Sequence, residues 1–213
     1  MVAGQKMVAA NGYEVMLFPL PYMDISQGEN GAFSHLGTYN IDFLGYNAEG
    51  QHISDAPYYA PCSCICVRAW EEVDGNGRFY QSLDKVNTPT GLKYVSFLFI
   101  HDENPVAHVG SIFNQGDLIG HTGTAGNVTG DHVHMNMANG LYAGYEHVPP
   151  AGKGQLVNST HIYDICYVND TTIIDGYGYL WQTFRGKLKP TYPTYNKDHF
   201  KWVLYANKLR NKY

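Results

Sequence analysis

The stretch "TGDHVHMNMANG", residues 129–140, sets His132 and His134 one residue apart. Successive side chains of a strand point to opposite faces. Val133, Met135 and Met137 can therefore fill a core while His132, His134, Asn136 and Ala138 line the other face. Two imidazoles whose Cα atoms lie about 7 Å apart can divide labour, one binding a metal and the other handling protons beside it. An isolated His-x-His also occurs on ordinary half-exposed strands, so the rest of the chain has to decide.

Three further residues join the pair. In "SHLGTYNIDF", His35 sits in a glycine-containing loop and Asp42 sits between Ile41 and Phe43. If Ile41 and Phe43 face a core, Asp42 faces the side that His132 and His134 share. An acid between two bulky apolar residues is costly without a partner, and a metal would be one. His101 closes the apolar run "VSFLFI", a strand end from which a scaffold can deliver a side chain to a cleft. Catalytic zinc takes three N or O ligands and keeps one open position; it lowers the pKa of bound water to about 7 and polarises a carbonyl. A further imidazole can take a proton or stabilise an oxyanion. His35, Asp42, His101, His132 and His134 meet these needs with none left over.

The elements that must position them read as short strands between turns. "FPLP" fixes an extended start at residue 18. "YNIDFLGY" ends in "NAEG"; "CSCICVRAWEEV" runs into "DGNG", a hairpin signal, with "GRFYQSL" returning. "KYVSFLFIHD" is apolar on both parities and predicts a central strand covered on both faces. "DHVHMNMA" is the next strand after the turn in "GSIFNQGDLIGHTG", and "HIYDICYV" and "TTIIDGYGYLWQTF" are later strand candidates. "KDHFKWVLYANKLRNKY" predicts a terminal helix, with a basic end that suits the helix dipole. The expected fold is mainly β and mostly antiparallel. It divides into a lead-in over residues 1–17, a main domain over 18–148 and a C-terminal extension over 149–213 packed on it.

The bulk of the sequence agrees. With 213 residues the chain can bury one real core. Its 23 glycines and 18 tyrosines suit β structure with tight turns. A net charge of −5 without a basic run before "NKLRNKY" argues against nucleic acid. No apolar run approaches the roughly 20 residues of a membrane span, and the start predicts no signal peptide. Cys62, Cys64, Cys66 and Cys166 match neither a relaxed disulfide nor a Cys-x-x-Cys zinc ribbon, so "PCSCICV" is expected to pack its thiols inward. His121 is expected at a groove edge. His52, His108, His147, His161 and His199 have no partner pattern and read as surface or satisfied histidines. Asp131 reads as a turn residue, and the aromatics of 177–202 read mainly as packing.

Taken in order, His35 to Asp42, "YAPCSCICV", His101 after an apolar strand, and "GDLIGHTGTAGNVTGDHVH" resemble the lysostaphin/LytM-type zinc metallopeptidases over roughly residues 18–148. The resemblance implies an antiparallel β-sheet with a groove floored by a Zn2+ site. It implies His35, Asp42 and His134 as zinc ligands and His101 and His132 as catalytic histidines. Glycines 120, 123, 126 and 130 would let backbone approach substrate. The implied activity is hydrolysis of cross-bridge or stem peptides in bacterial peptidoglycan. Two departures stand out: the gap from His35 to Asp42 holds six residues, and "APCSCICV" lacks the usual glycine before valine. The texture of 161–184 resembles phage-encoded members. Without a signal peptide, that implies extracellular action on the bacterial cell wall, as a holin-released endolysin or a virion-associated hydrolase with other virion proteins as possible partners. The rivals are a non-catalytic wall-binding or structural module, an amidase, and a thiol redox protein that would need reactive cysteines.

Overall fold

The computed structural model describes residues 1–149, 153–168 and 173–175. In chain order the strands are β1 (Tyr22–Gln27), β2 (Ile41–Gly45), β3 (Pro57–Tyr59), β4 (Cys64–Ala69), β5 (Arg78–Ser82), β6 (Val86–Thr88), β7 (Gly91–Lys93) and β8 (Val95–Ile100). They continue with β9 (Ile112–Phe113), β10 (Leu118–His121), β11 (Val133–Asn139), β12 (Tyr145–Val148), β13 (Lys153–Leu156), β14 (Ser159–Thr160) and β15 (Ile173–Asp175). The protein is mainly β, and nine strands form one sheet in the order β15-β1-β2-β11-β8-β5-β4-β9, with β14 also pairing β11. Pairing is antiparallel except where β15 runs parallel to β1.

The period-two patterns set the two faces. Ile41, Phe43, Phe97, Phe99, Val133, Met135 and Met137 all point into the main core. Every residue of β8 is buried, because Leu98 and Ile100 join a smaller cluster on the opposite face with Phe79, Ala138 and Leu156. That second cluster covers only part of its face. The rest, toward Asp42 and His134, is open, and there the groove lies.

Cys62, Cys64, Cys66 and Cys166 are free and buried in the main core. Burial pushes all four thiols above their ordinary range. A thiolate is the reactive form, so the thiol redox alternative loses its chemistry.

One local expectation is corrected. "HIYDICYV" does not form a strand: Ile162–Ile165 is a short helix, α1, which buries Ile162 and Ile165. Residues three apart share a helical face, and Ile162, Ile165 and Cys166 carry that spacing. Extended backbone resumes after it, where Tyr167 bridges Leu17 and Val168 is also a bridge residue. The strand expected over "TTIIDGYGYLWQTF" is present at Ile173–Asp175, and the rest of it, with the expected terminal helix and His199, lies outside the described residues.

Candidate metal centre and groove

The register of the central strands brings the predicted residues together. On β11, His134 stands directly opposite Asp42 of β2 on one side and Ile100 of β8 on the other. His101 follows Ile100 and His132 precedes Val133, so both leave the sheet at the same end. His132 is held there by a bridge to Gly123.

His35 arrives from a loop. Its amide donates to the Gly31 carbonyl, and its own carbonyl accepts from the amide and hydroxyl of Thr38. These turns occupy the longer gap before Asp42 and fold the ring inward, where it is fully buried.

Three acceptor-type atoms then face one another. His35 Nε2 lies 3.2 Å from Asp42 Oδ1 and 3.2 Å from His134 Nδ1, and His134 Nδ1 lies 2.9 Å from Asp42 Oδ1. Tetrahedral zinc ligands at about 2.0–2.2 Å from the metal stand roughly 3.3 Å apart, close to this spacing. The donor chemistry fits as well. His35 Nδ1 lies 3.1 Å from the Gly28 carbonyl, which fixes the proton on Nδ1 and leaves a lone pair on Nε2 aimed at a carboxylate. With both imidazoles neutral, one proton on His134 Nδ1 must serve all three atoms. A cation resolves that arrangement better than a hydrogen bond does.

Electrostatics favour the ligand forms. Burial pushes the Asp42 carboxyl up, but hydrogen bonds and charge from His134 and His35 outweigh it and hold it well below the usual carboxylate range. Burial pushes His134 below its ordinary value despite Asp42, so its imidazole is neutral. The second carboxylate oxygen of Asp42 is held too: Gln27 Nε2 donates to Oδ2 at 2.9 Å, from the position opposite on β1.

The other two histidines stack as a pair, ring centroids 4.6 Å apart. Each is oriented by a backbone carbonyl, His101 Nδ1 on Ala125 at 2.8 Å and His132 Nδ1 on Gly130 at 2.7 Å. Both Nε2 atoms are thereby left as acceptors. His132 Nε2 lies 3.8 Å from Asp42 Oδ1. Burial, then the nearby His134 and His132, push His101 down to about 3, so it is a neutral base at ordinary pH.

His101 has a φ of 91°, a left-handed conformation that costs a non-glycine residue. Two glycines accommodate it. A Cβ on Gly75 would stand 2.7 Å from Ile100 Cγ2 and 3.1 Å from His101 Nδ1, and one on Gly123 would stand 2.3 Å from the His101 carbonyl oxygen. The glycines expected to admit substrate therefore divide differently. Gly120 is filled by Tyr58 and Gly126 by Gly75, and of the four only Gly130 lines the groove.

The groove has a volume of about 1210 Å³ and holds Asp42, His101, His132 and His134 on its lining. Asp131 ties its rim, accepting from the Thr122 hydroxyl at 2.6 Å and the Asp55 amide at 3.0 Å, as suits a turn residue. His121 is half-buried on β10, and its amide donates to Asp102. His52, His108 and His147 are exposed. His161 is not a bystander: its Nδ1 lies 2.6 Å from Glu29 Oε2. Sequence reasoning missed Gln27, Glu29 and the three carbonyl acceptors. Carbonyls carry no residue signature, and Glu29 and His161 are 132 positions apart; only Gln27 was legible, had β1 been paired with β2.

No family model matches the chain. It is 38% identical over 176 residues to Morphogenesis protein 1 of Bacillus phage B103, a match covering 82% of this chain and 46% of that protein. The chain thus spans about half the length of the curated relative it matches. Among solved structures it is similar to peptidases of the lysostaphin kind. The catalytic domain of the prophage-encoded M23 protein EnpA from Enterococcus faecalis gives a TM-score of 0.44 at 17% identity, covering 68% of this chain and 93% of that one. The catalytic domain of lysostaphin from Staphylococcus simulans gives 0.41 at 21%, covering 55% and 79%. A zinc-containing peptidase from Vibrio cholerae gives 0.40 at 17%, covering 63% and 43%. All three scores lie below 0.5, so the case for the site rests on its own atoms.

Proposed function

We propose that this chain is a zinc-dependent endopeptidase that hydrolyses cross-bridge or stem peptide bonds of bacterial peptidoglycan. The observation that carries the proposal is the convergence of His35 Nε2, Asp42 Oδ1 and His134 Nδ1 within 4.8 Å of one another, beside the stacked pair His101 and His132. Bound by those three atoms, zinc would supply Lewis acidity toward water and toward the scissile carbonyl. The remaining work falls to the chain. Asp42 stays ionised and His134 neutral, so the three atoms can take a cation with no net loss of a proton once the His134 proton moves from Nδ1 to Nε2. His132 and His101, each with Nδ1 committed to a carbonyl, offer Nε2 to the groove. One takes a proton from the attacking water and returns it to the leaving amine as the C–N bond breaks. The other, when its Nε2 carries a proton, donates to the charge that develops on the carbonyl oxygen. The groove holds the extended peptide across these atoms.

The likeness to a phage morphogenesis protein supports a phage setting, with the hydrolase acting extracellularly on the cell wall, either released at lysis or carried on the particle. The same relative's name favours a second reading, a structural or wall-binding module that does not cut. One paired assay separates them: bound zinc, and turbidity loss of peptidoglycan from several Gram-positive sources. Wild type should bind zinc and lyse. His134→Ala should lose both, and His132→Ala should keep zinc and lose activity by about 10²–10⁴-fold. Mass spectra of the released fragments then distinguish a peptide cut from an amidase cut. Wild type that sediments with the wall but carries no zinc and releases nothing would overturn the enzyme reading.

A further inference from the structure

The segment after residue 152 reaches every element that carries a candidate ligand. Gly154 accepts from Asn40 Nδ2 at 2.8 Å, two residues before Asp42. Leu156 donates its amide to Asn136 Oδ1 at 2.8 Å and Ser159 Oγ lies 2.8 Å from Asn136 Nδ2, two residues after His134. His161 reaches Glu29 at 2.6 Å, next to Gly28, whose carbonyl orients His35.

The His161 contact is built rather than incidental. Its ring stacks on Tyr163 at 4.6 Å and 13° and meets Tyr39 edge-on at 4.8 Å. The Glu29 side chain is 7% exposed. A carboxylate that dry needs a committed partner. Glu29, Gly28 and Tyr163 all line the groove.

We propose that Glu29 and His161 are a positioning pair for the metal centre: by pinning residue 29 to the segment 153–168, they fix the Gly28 carbonyl that orients the His35 ring. This rests on the reading of His35 as a metal ligand. The pair acts through the Gly28 carbonyl and supplies no ligand atom itself. It acts on the tautomer and direction of one ligand, the role that outer partners of metal-binding histidines play.

The test uses the whole chain, with zinc affinity read by competition with a chromophoric chelator and ligand geometry read from the absorption of the Co2+-loaded protein. His161→Phe keeps the stack on Tyr163 but loses the imidazole donor, leaving Glu29 only the Ile162 amide; it should weaken zinc binding by about 10- to 100-fold and alter the Co2+ bands. His161→Asn, whose amide can stand in for Nδ1, should restore affinity to within about threefold of wild type. Glu29→Leu should weaken zinc as His161→Phe does, while the metal-free protein melts no lower, since a buried carboxyl has been removed. Zinc bound within twofold of wild type by both His161→Phe and Glu29→Leu would overturn the pair alone. An affinity loss that merely follows a lowered metal-free melting temperature would also overturn it. Wild type that binds no zinc would instead sink the metal reading, and the pair with it.

Discussion

Along β11, Val133, Met135 and Met137 are fully buried in the main core, whereas His134 on the opposite face stands among polar atoms in the groove. The apolar face is held by many interchangeable contacts with Ile41, Phe43, Phe97 and Phe99. The polar face depends on a few atoms whose distances and proton positions must be right. Burial serves both, but by different physics. On one side it removes apolar area from water. On the other it strips solvent from charged and polar groups, which then need specific partners.

That contrast can be broken most sharply by comparing two substitutions on either side of Val133. Met135→Ala should cost about 2–5 kcal/mol of stability, measured by denaturant unfolding of the metal-free chain, because it opens a cavity in a close-packed core. His132→Ala, at the groove rim, should shift the same midpoint by less than about 1 kcal/mol while removing activity. Equal destabilisation by the two would mean that the faces are not separable.

A finer division lies within the polar face, between the triad and the imidazole pair. Gly75 has a φ of +83° and abuts His101, not the three candidate ligands. Gly75→Ala should lower stability by about 1–2 kcal/mol. It should reduce hydrolysis by roughly tenfold or more through displacement of His101, with zinc content unchanged. Loss of zinc in this variant would show that the two groups are mechanically one.

The smallest effect concerns Glu29, which burial raises to about 6 against the opposing pull of His161. Between pH 4.5 and about 6 the folded chain still holds a proton that the unfolded chain has released. The folded state binds more protons there, so stability falls as pH rises through that window. Glu29→Leu should remove that fall, about 2 kcal/mol at most, in metal-free denaturation curves taken across it. An unchanged pH slope would mean that Glu29 ionises normally.

Much of this was legible from local pattern. The alternation of residues 133–138, the largely apolar run before His101 and the acid between Ile41 and Phe43 each place a side chain on a face before any tertiary contact is known. The segment 161–168 misled because short apolar runs suit either period; the spacing of Ile162, Ile165 and Cys166 was helical, and α1 followed it. Gly123 and Gly126 looked like room for a ligand and proved to be room for backbone.

The sequence by itself determined which residues share a face, since pleat parity is a property of one strand. It also determined which residue types could hold a cation. Tertiary structure alone decided that Asp42 falls opposite His134, that three backbone carbonyls choose the tautomers of His35, His101 and His132, and that His161 reaches Glu29. Those are matters of strand register and of backbone atoms that every residue carries. No side-chain pattern encodes them until the sheet is assembled.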